Sequence, residues 1–310
     1  MNLKGKRVLL RVDFNVLPLK LREPRILKTL PTIKYLLKKQ AKIILLTHLE
    51  TNDGKTPSTK KLLPYLKRFL PMKKIKLFEN LRRFPGEKKN DLKFAKYLAS
   101  LGDIYVNEAF SDSHRSHASI MLLPKLLPSF SGFLFNEEVK NLSRVFNPPH
   151  PFTLILGGGK IETNLPLLRA LLAKTDYVLL GGIIGNKFLK RKLISSRKIF
   201  LSQDLVERGE RIYDVGPKTI ESWTPFIKKS KLVVWNGPLG FLEKGFTAGT
   251  RRLVAALQKS KAKIIIGGGD TTDCLPPSLP ANIFISTGGG AMLEFLAKRT
   301  LPGIEALKKQ

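Results

Sequence analysis

The feature that most constrains this chain is a recurring run of four to six apolar or β-branched residues, each followed by a loop and then a helical pattern. The runs are Val8–Val12, Lys42–Thr47, Ile75–Phe78, Asp103–Val106, Phe152–Leu156, Tyr177–Leu180, Lys198–Leu201, Leu232–Trp235, Lys263–Ile266 and Asn282–Ile285. They are continuous rather than alternating, which suits strands covered on both faces of a parallel sheet. Amphipathic segments separate them: Leu30–Lys39, Thr59–Phe69, Leu92–Leu101, Leu165–Lys174, Thr219–Lys229 and Thr250–Lys259. Asn90 and Asp91 before the third, and Gly249 before the last, read as start signals. Strand, loop, helix, strand, repeated twice, predicts an α/β protein with two doubly wound parallel-sheet domains facing each other across a hinged cleft.

Length agrees, since 310 residues exceed the roughly 150 expected of one domain. The joint is expected at Asn147-Pro148-Pro149-His150-Pro151, after a helix over Asn136–Phe146. That divides the chain into residues 1–147 and 148–299.

Several classes are disfavoured. Pro124, Lys125 and Pro128 break the longest apolar stretch, and Arg11 and Asp13 follow the first short run too closely for a signal peptide. The lone cysteine, Cys274, forms no disulfide within the chain. A cytoplasmic monomer is the expectation. The charge is unusual: 55 Lys and Arg against 24 Asp and Glu give +31. Such a field attracts polyanions, and non-specific nucleic-acid binding is one consequence. The basic residues are spread over many helix faces, however, with no interleaved aromatic platform.

In open parallel sheets, ligands bind beyond the carboxyl ends of the strands. In the first half those loops carry Asp13, Asn15, His48, Arg82 and Arg83, then the run Asn107–Ala118 with His114, Arg115 and His117; Arg25 lies just ahead of the first helix. Guanidinium groups pair bidentately with phosphate and carboxylate, so this half suits a small, multiply anionic metabolite. In the second half the corresponding loops are Gly157-Gly158-Gly159-Lys160, Gly181-Gly182, Asn236-Gly237-Pro238-Leu239-Gly240, Gly267-Gly268-Gly269-Asp270 and Ser286-Thr287-Gly288-Gly289-Gly290. Glycine lets backbone N–H groups approach phosphates, and a following helix adds its positive end. Five such loops in phase point to a nucleotide. Neither the P-loop nor the dinucleotide fingerprint occurs, because Ile161 follows Lys160 and no G-x-G-x-x-G is present.

Taken in order, Arg11-Val12-Asp13-Phe14-Asn15-Val16, Thr47-His48-Leu49, Glu79-Asn80-Leu81-Arg82, Asn107-Glu108-Ala109-Phe110, His114-Arg115-Ser116-His117, Gly157–Lys160, Asp214-Val215-Gly216-Pro217-Lys218-Thr219, Val234-Trp235-Asn236-Gly237-Pro238, Gly267–Thr271 and Ser286–Ala291 resemble the phosphoglycerate kinase family over nearly the whole chain. The resemblance implies an amino-terminal domain for phosphoglycerate and a carboxyl-terminal domain for the Mg2+ complex of ATP or ADP. It implies Asp13, Asn15, His48, Arg82 and Arg115 as ligands of 3-phosphoglycerate or 1,3-bisphosphoglycerate, with Arg25 reaching the transferred phosphoryl group. On the nucleotide it implies Gly158, Lys160, Gly182, Asn236, Pro238, Glu243, Gly268, Gly269, Asp270 and Thr271, with Asp270 serving the metal. Arg25, Lys160, Gly289 and Gly290 would act at the reacting phosphate. Residues 300–310 would return to the first domain.

The chain departs from the family pattern at three places. Asn164 stands where a second lysine is usual, Thr163 where an aspartate is usual, and Thr51 where an arginine is usual. Lys187 and Lys55 are the nearest candidates to supply the missing charges.

Overall fold

The computed structural model describes residues 2–308 except 20–22, 160, 192, 193, 210 and 273, and describes no side chain at 186, 187, 189–191 or 270. Two compact units emerge: Met1–Lys140 with Thr300–Gln310, and Asn141–Arg299. The division falls within the helix Phe133–Leu142, not at the proline-rich segment expected to be the joint. That segment belongs to the second unit, where His150 Nδ1 meets Asp176 at 2.6 Å and the Pro151 carbonyl accepts from Lys231 N at 2.8 Å.

The first unit holds a five-stranded parallel sheet of β1 (Arg7–Arg11), β2 (Lys42–Leu46), β3 (Ile75–Leu77), β4 (Ile104–Asn107) and β5 (Ser129–Ser131), in the order β3-β2-β1-β4-β5. Leu10 stands opposite Leu45 on one side and Val106 on the other. The helix Pro24–Lys38 starts earlier than its apolar pattern suggests, because Pro24 occupies the first turn, where its missing N–H has no intrahelical acceptor. Its Ile26 and Ile33 pack on Val8, Leu10, Ile43 and Leu45. The helix Leu92–Ser100 is capped as expected, with the Asp91 carboxylate accepting from Phe94 N at 2.7 Å. The helix Pro302–Lys308 lies in this unit, where Gly303 N donates to the Ser113 carbonyl at 2.8 Å.

The second unit holds a six-stranded parallel sheet of β6 (Phe152–Leu156), β7 (Tyr177–Leu180), β8 (Ile199–Leu201), β11 (Leu232–Asn236), β12 (Lys263–Gly267) and β13 (Ile283–Ile285), ordered β13-β12-β11-β6-β7-β8. An antiparallel hairpin of β9 (Leu205–Arg208) and β10 (Arg211–Val215) stands apart from it. Trp235 is fully buried, hydrogen-bonded through its indole nitrogen to the Gly237 carbonyl at 2.7 Å. Gly249 does not precede its helix but sits in the first turn of Ala248–Gln258. Its N–H donates to the Asp214 carboxylate at 2.9 Å, so a strand residue satisfies the helix start.

Each sheet reverses strand order once, between β1 and β4 and between β11 and β6. Such reversals open a crevice beyond the carboxyl ends of the strands. They place Asp13 and the loop after Asn107 together in the first unit, and Gly157 beside Asn236 in the second.

Candidate active site

In the first unit the strand-end loops converge on Asp112, a residue the sequence patterns did not single out. Arg11 Nη2 donates to its Oδ2 at 2.8 Å, His48 Nδ1 lies 3.2 Å from the same oxygen, and Arg115 Nε is 3.5 Å from Oδ1. Burial works against a carboxylate here, but His48 and Arg11 outweigh it and hold Asp112 well below the usual range. Asp112 therefore acts as a fixed negative pin under a set of cations. Arg11 is wholly buried and spent on internal bonds to Ser119, Val12 and Asp112, so it supports the site from below.

Arg25 and Arg115 are partly exposed, and Arg82 keeps two nitrogens without partners among the described residues. Asp13 pairs with Arg25 Nη1 at 3.0 Å and accepts from Asn15 N and Ser111 Oγ. Asn15 Oδ1 accepts from Glu50 N at 2.9 Å, tying the first loop to the one after β2. Arg82 pairs through Nη1 with Glu50, while its Nε and Nη2 are buried with no hydrogen-bond partner among the described residues. Burial, with Arg115 and Arg11 nearby, lowers the Arg82 pKa despite Asp112 and Glu50. Burial and then Arg82 push His117 down to about 4, so its imidazole is neutral at physiological pH. Crowded cations and two guanidinium N–H groups without partners among the described residues suit an anionic ligand.

Of the six residues expected to hold phosphoglycerate, Asp13, Asn15, Arg25, His48, Arg82 and Arg115 are thus joined by direct contacts or through Asp112 and Glu50. Lys55 does not extend the set: it is exposed and pairs with Asp53 at 2.8 Å. Thr51 closes the same turn through Asp53 and the Lys55 carbonyl.

In the second unit the glycine loops enclose a cavity of about 450 Å3. Gly158, Asn236, Pro238, Glu243, Gly268, Gly269, Thr271, Gly289 and Gly290 line it, together with Thr163, Asn164, Tyr213 and Phe241. The loops after β6 and β11 touch backbone to backbone. Gly157 N donates to the Asn236 carbonyl at 2.9 Å and Gly158 N to the Pro238 carbonyl at 2.6 Å. A β-carbon on Gly157 would overlap the carbonyls of Gly237 and Pro238, and Gly237 itself holds φ at +87°. Gly182, at φ +58°, packs under the Leu239 carbonyl rather than lining the cavity.

Thr271 tests whether this cavity fits a phosphate-bearing ligand. It is fully buried, lines the cavity, and its Oγ1 has no hydrogen-bond partner among the described residues. With the glycine N–H groups around it, that hydroxyl fits a phosphate oxygen. Asn164 is also nearly buried; its Nδ2 donates to the Gly157 carbonyl at 3.3 Å and its Oδ1 accepts from Asn236 at 3.1 Å. Lys160 lies outside the described residues, as do the side chains of Lys187 and Asp270, the expected metal ligand. Another trio with metal-ligand geometry, Asp13, His48 and Asp112, is already engaged with Arg25 and Arg11.

The phosphoglycerate kinase family model matches residues 1–73, 66–209 and 195–299. The chain is 36% identical to the phosphoglycerate kinase of Leptospira biflexa, over an alignment of 382 positions covering 99% of this chain and 96% of the relative. It is 35% identical to that of Finegoldia magna, covering 100% and 98%. Both alignments are longer than the chain, so these relatives carry internal segments that it lacks. The phosphoglycerate kinase structure from Coxiella burnetii superposes with a TM-score of 0.82 at 31% identity, covering 100% of this chain and 97% of that one. The enzyme from Pyrococcus horikoshii gives 0.86 at 26% identity, covering 99% and 97%. With a cation cluster in one unit, a glycine-walled cavity in the other and this match along its whole length, the chain belongs to the phosphoglycerate kinase family.

Proposed function

We propose that the chain transfers a phosphoryl group reversibly between 1,3-bisphosphoglycerate and ADP, giving 3-phosphoglycerate and ATP. The observation that carries this reading is Arg82, whose buried Nε and Nη2 have no partner among the described residues. A buried guanidinium left half-satisfied costs free energy that an anionic ligand relieves. A small ligand with a phosphate at one end and a carboxylate at the other answers to Arg82, Arg115 and Arg25 together.

On this reading Asp13 and Asn15 orient the glycerate hydroxyl and carboxyl end, while His48 and Arg115, pinned by Asp112, hold its phosphate. The N–H groups around Gly158, Gly268 and Gly269 and the Thr271 hydroxyl bind nucleotide phosphates. Glu243 takes the ribose, with Asn236 and Pro238 forming the floor beside it. Gly289 and Gly290, opening the helix Gly290–Lys298, and Arg25 and Lys160 stabilise charge on the equatorial oxygens during in-line transfer. Asp270 would hold magnesium with the nucleotide, and the ion would supply further neutralisation of phosphate charge. Closure of the two units excludes water that would otherwise hydrolyse the acyl phosphate. The chain works as a cytoplasmic monomer; among the described residues no helix is long and apolar enough to cross a membrane.

A second reading is binding with weak turnover, favoured by the uncharged Asn164 inside the nucleotide cavity. A coupled assay with Mg-ATP and 3-phosphoglycerate separates the two. Product formation at a rate of about 1 s−1 or more supports the first, and ligand binding without product supports the second.

A further inference from the structure

Parallel sheets ordinarily bury both faces under helices. In the first unit one face is covered by Pro24–Lys38 and by Tyr65 and Leu66 of the short segment after β2. On the opposite face Leu98 of the helix Leu92–Ser100 packs with Leu9, Leu46 and Tyr105. Over β2 and β3 that second face opens instead into a trough of about 880 Å3. Strand alternation sends Ile44 and Phe78 into its floor, and Tyr97 and Leu101 form the wall beside it.

Alternation also sends Lys42 and Lys76 to this face, and Lys73 and Lys74 complete the rim. All four are exposed, and none makes an ion pair or a side-chain hydrogen bond among the described residues. Arg7 is the contrast, neutralised by Asp103 at 2.6 Å. Among the described residues no acidic side chain lines the trough. Its position fits a helix packed beside Leu92–Ser100 on the same sheet. A helix of about 10 Å diameter rising about 1.5 Å per residue displaces roughly 120 Å3 per residue, so the space holds about two turns.

We propose that this trough docks an acidic amphipathic helix of a partner protein. Its apolar stripe sits on Ile44, Phe78, Tyr97 and Leu101, and its carboxylates meet Lys42, Lys73, Lys74 and Lys76. Single-stranded nucleic acid fits less well. Of the two aromatic rings that line the trough, Phe78 is already packed against Phe84 at 5.5 Å and Tyr97 at 6.4 Å. The trough reaches the amino ends of β1 and β2 through Arg7 and Lys42, and although Phe78 lies just past the carboxyl end of β3, none of the residues assigned to the reaction lines it. Docking therefore leaves phosphoryl transfer unchanged.

Fluorescence anisotropy at about 0.15 M salt tests this, using a labelled model helix with Leu at i, i+3, i+4 and i+7 and Glu elsewhere. Binding is expected to weaken at least tenfold in K73E/K74E/K76E and in Tyr97→Asp, and to stay unchanged in K228E/K229E on the second unit. A scrambled peptide of the same composition is expected to bind at least tenfold more weakly. Equal binding of the scrambled peptide, or undiminished binding to the triple variant, overturns the proposal. So does oligothymidylate that displaces the helix and is itself lost in the triple variant, since the trough would then be a nucleic-acid site. Phosphoryl transfer by each variant at the parent rate reports an intact fold. A parent protein with no transfer would contradict the proposed reaction and leave the docking result standing.

Discussion

Asn236 Nδ2 donates to Asn164 Oδ1 at 3.1 Å, and Asn164 passes the connection on to the Gly157 carbonyl at 3.3 Å. Two loops at the strand-order reversal are thereby stitched by a neutral pair, with Asn164 standing where the family pattern has a second lysine. Asn164→Ala leaves the Asn236 amide and the Gly157 carbonyl short of partners. It is expected to cost about 1–2 kcal/mol in denaturant unfolding and to raise the nucleotide KM about tenfold. Asn164→Lys is expected to change kcat by less than about tenfold. A gain of the order of 10²-fold or more would mark the native site as impaired, because that is the scale of one preorganised transition-state contact.

Thr271→Val separates binding from stability. The Thr271 hydroxyl is buried and unpartnered, so replacing it with a methyl group is expected to leave the thermal midpoint of the ligand-free protein unchanged or higher. Nucleotide affinity, measured by titration calorimetry, is expected to fall about tenfold. A variant that lost stability and kept its affinity would show the hydroxyl to be structural.

Arg82→Met removes the two unsatisfied nitrogens and leaves Glu50 paired with Lys88 at 2.9 Å. The expected result is a rise in the 3-phosphoglycerate KM of at least about tenfold, with nucleotide affinity unchanged. Steady-state kinetics with each substrate varied in turn provides the check.

His117 ties stability to pH. Burial and Arg82 depress its pKa to about 4, below the ordinary value of about 6.5. Between those values the unfolded chain binds more protons than the folded one, so stability rises with pH across this window and is lost as pH falls through it. The contribution is on the order of 3 kcal/mol. His117→Asn is expected to flatten the urea stability profile between about pH 4 and 6.5 relative to the parent. A profile of unchanged slope would remove His117 from the account.

Strand positions were legible because a parallel sheet buries both faces, so Phe152–Leu156 and Leu232–Trp235 read as unbroken apolar runs. What escaped was polar or short. Ser129–Ser131 has three residues, two of them serine, and the hairpin Leu205–Arg208 with Arg211–Val215 carries charge on half-exposed strands. The glycine loops were legible because close backbone approach tolerates little else. Asp112 was not, since an aspartate in a loop acquires its role only when Arg11, His48 and Arg115 arrive from other strands. The boundary between the units was less legible: proline marks a break in helix, and Asn147–Pro151 follows one while remaining inside the second unit.

The most direct measurement is steady-state phosphoryl transfer by the purified chain with Mg-ATP and 3-phosphoglycerate, run beside Arg82→Met and Thr271→Val. The account predicts saturable turnover, with the first variant raising only the 3-phosphoglycerate KM and the second only the nucleotide KM. Saturable binding of both ligands with no product, or turnover indifferent to both substitutions, would contradict it.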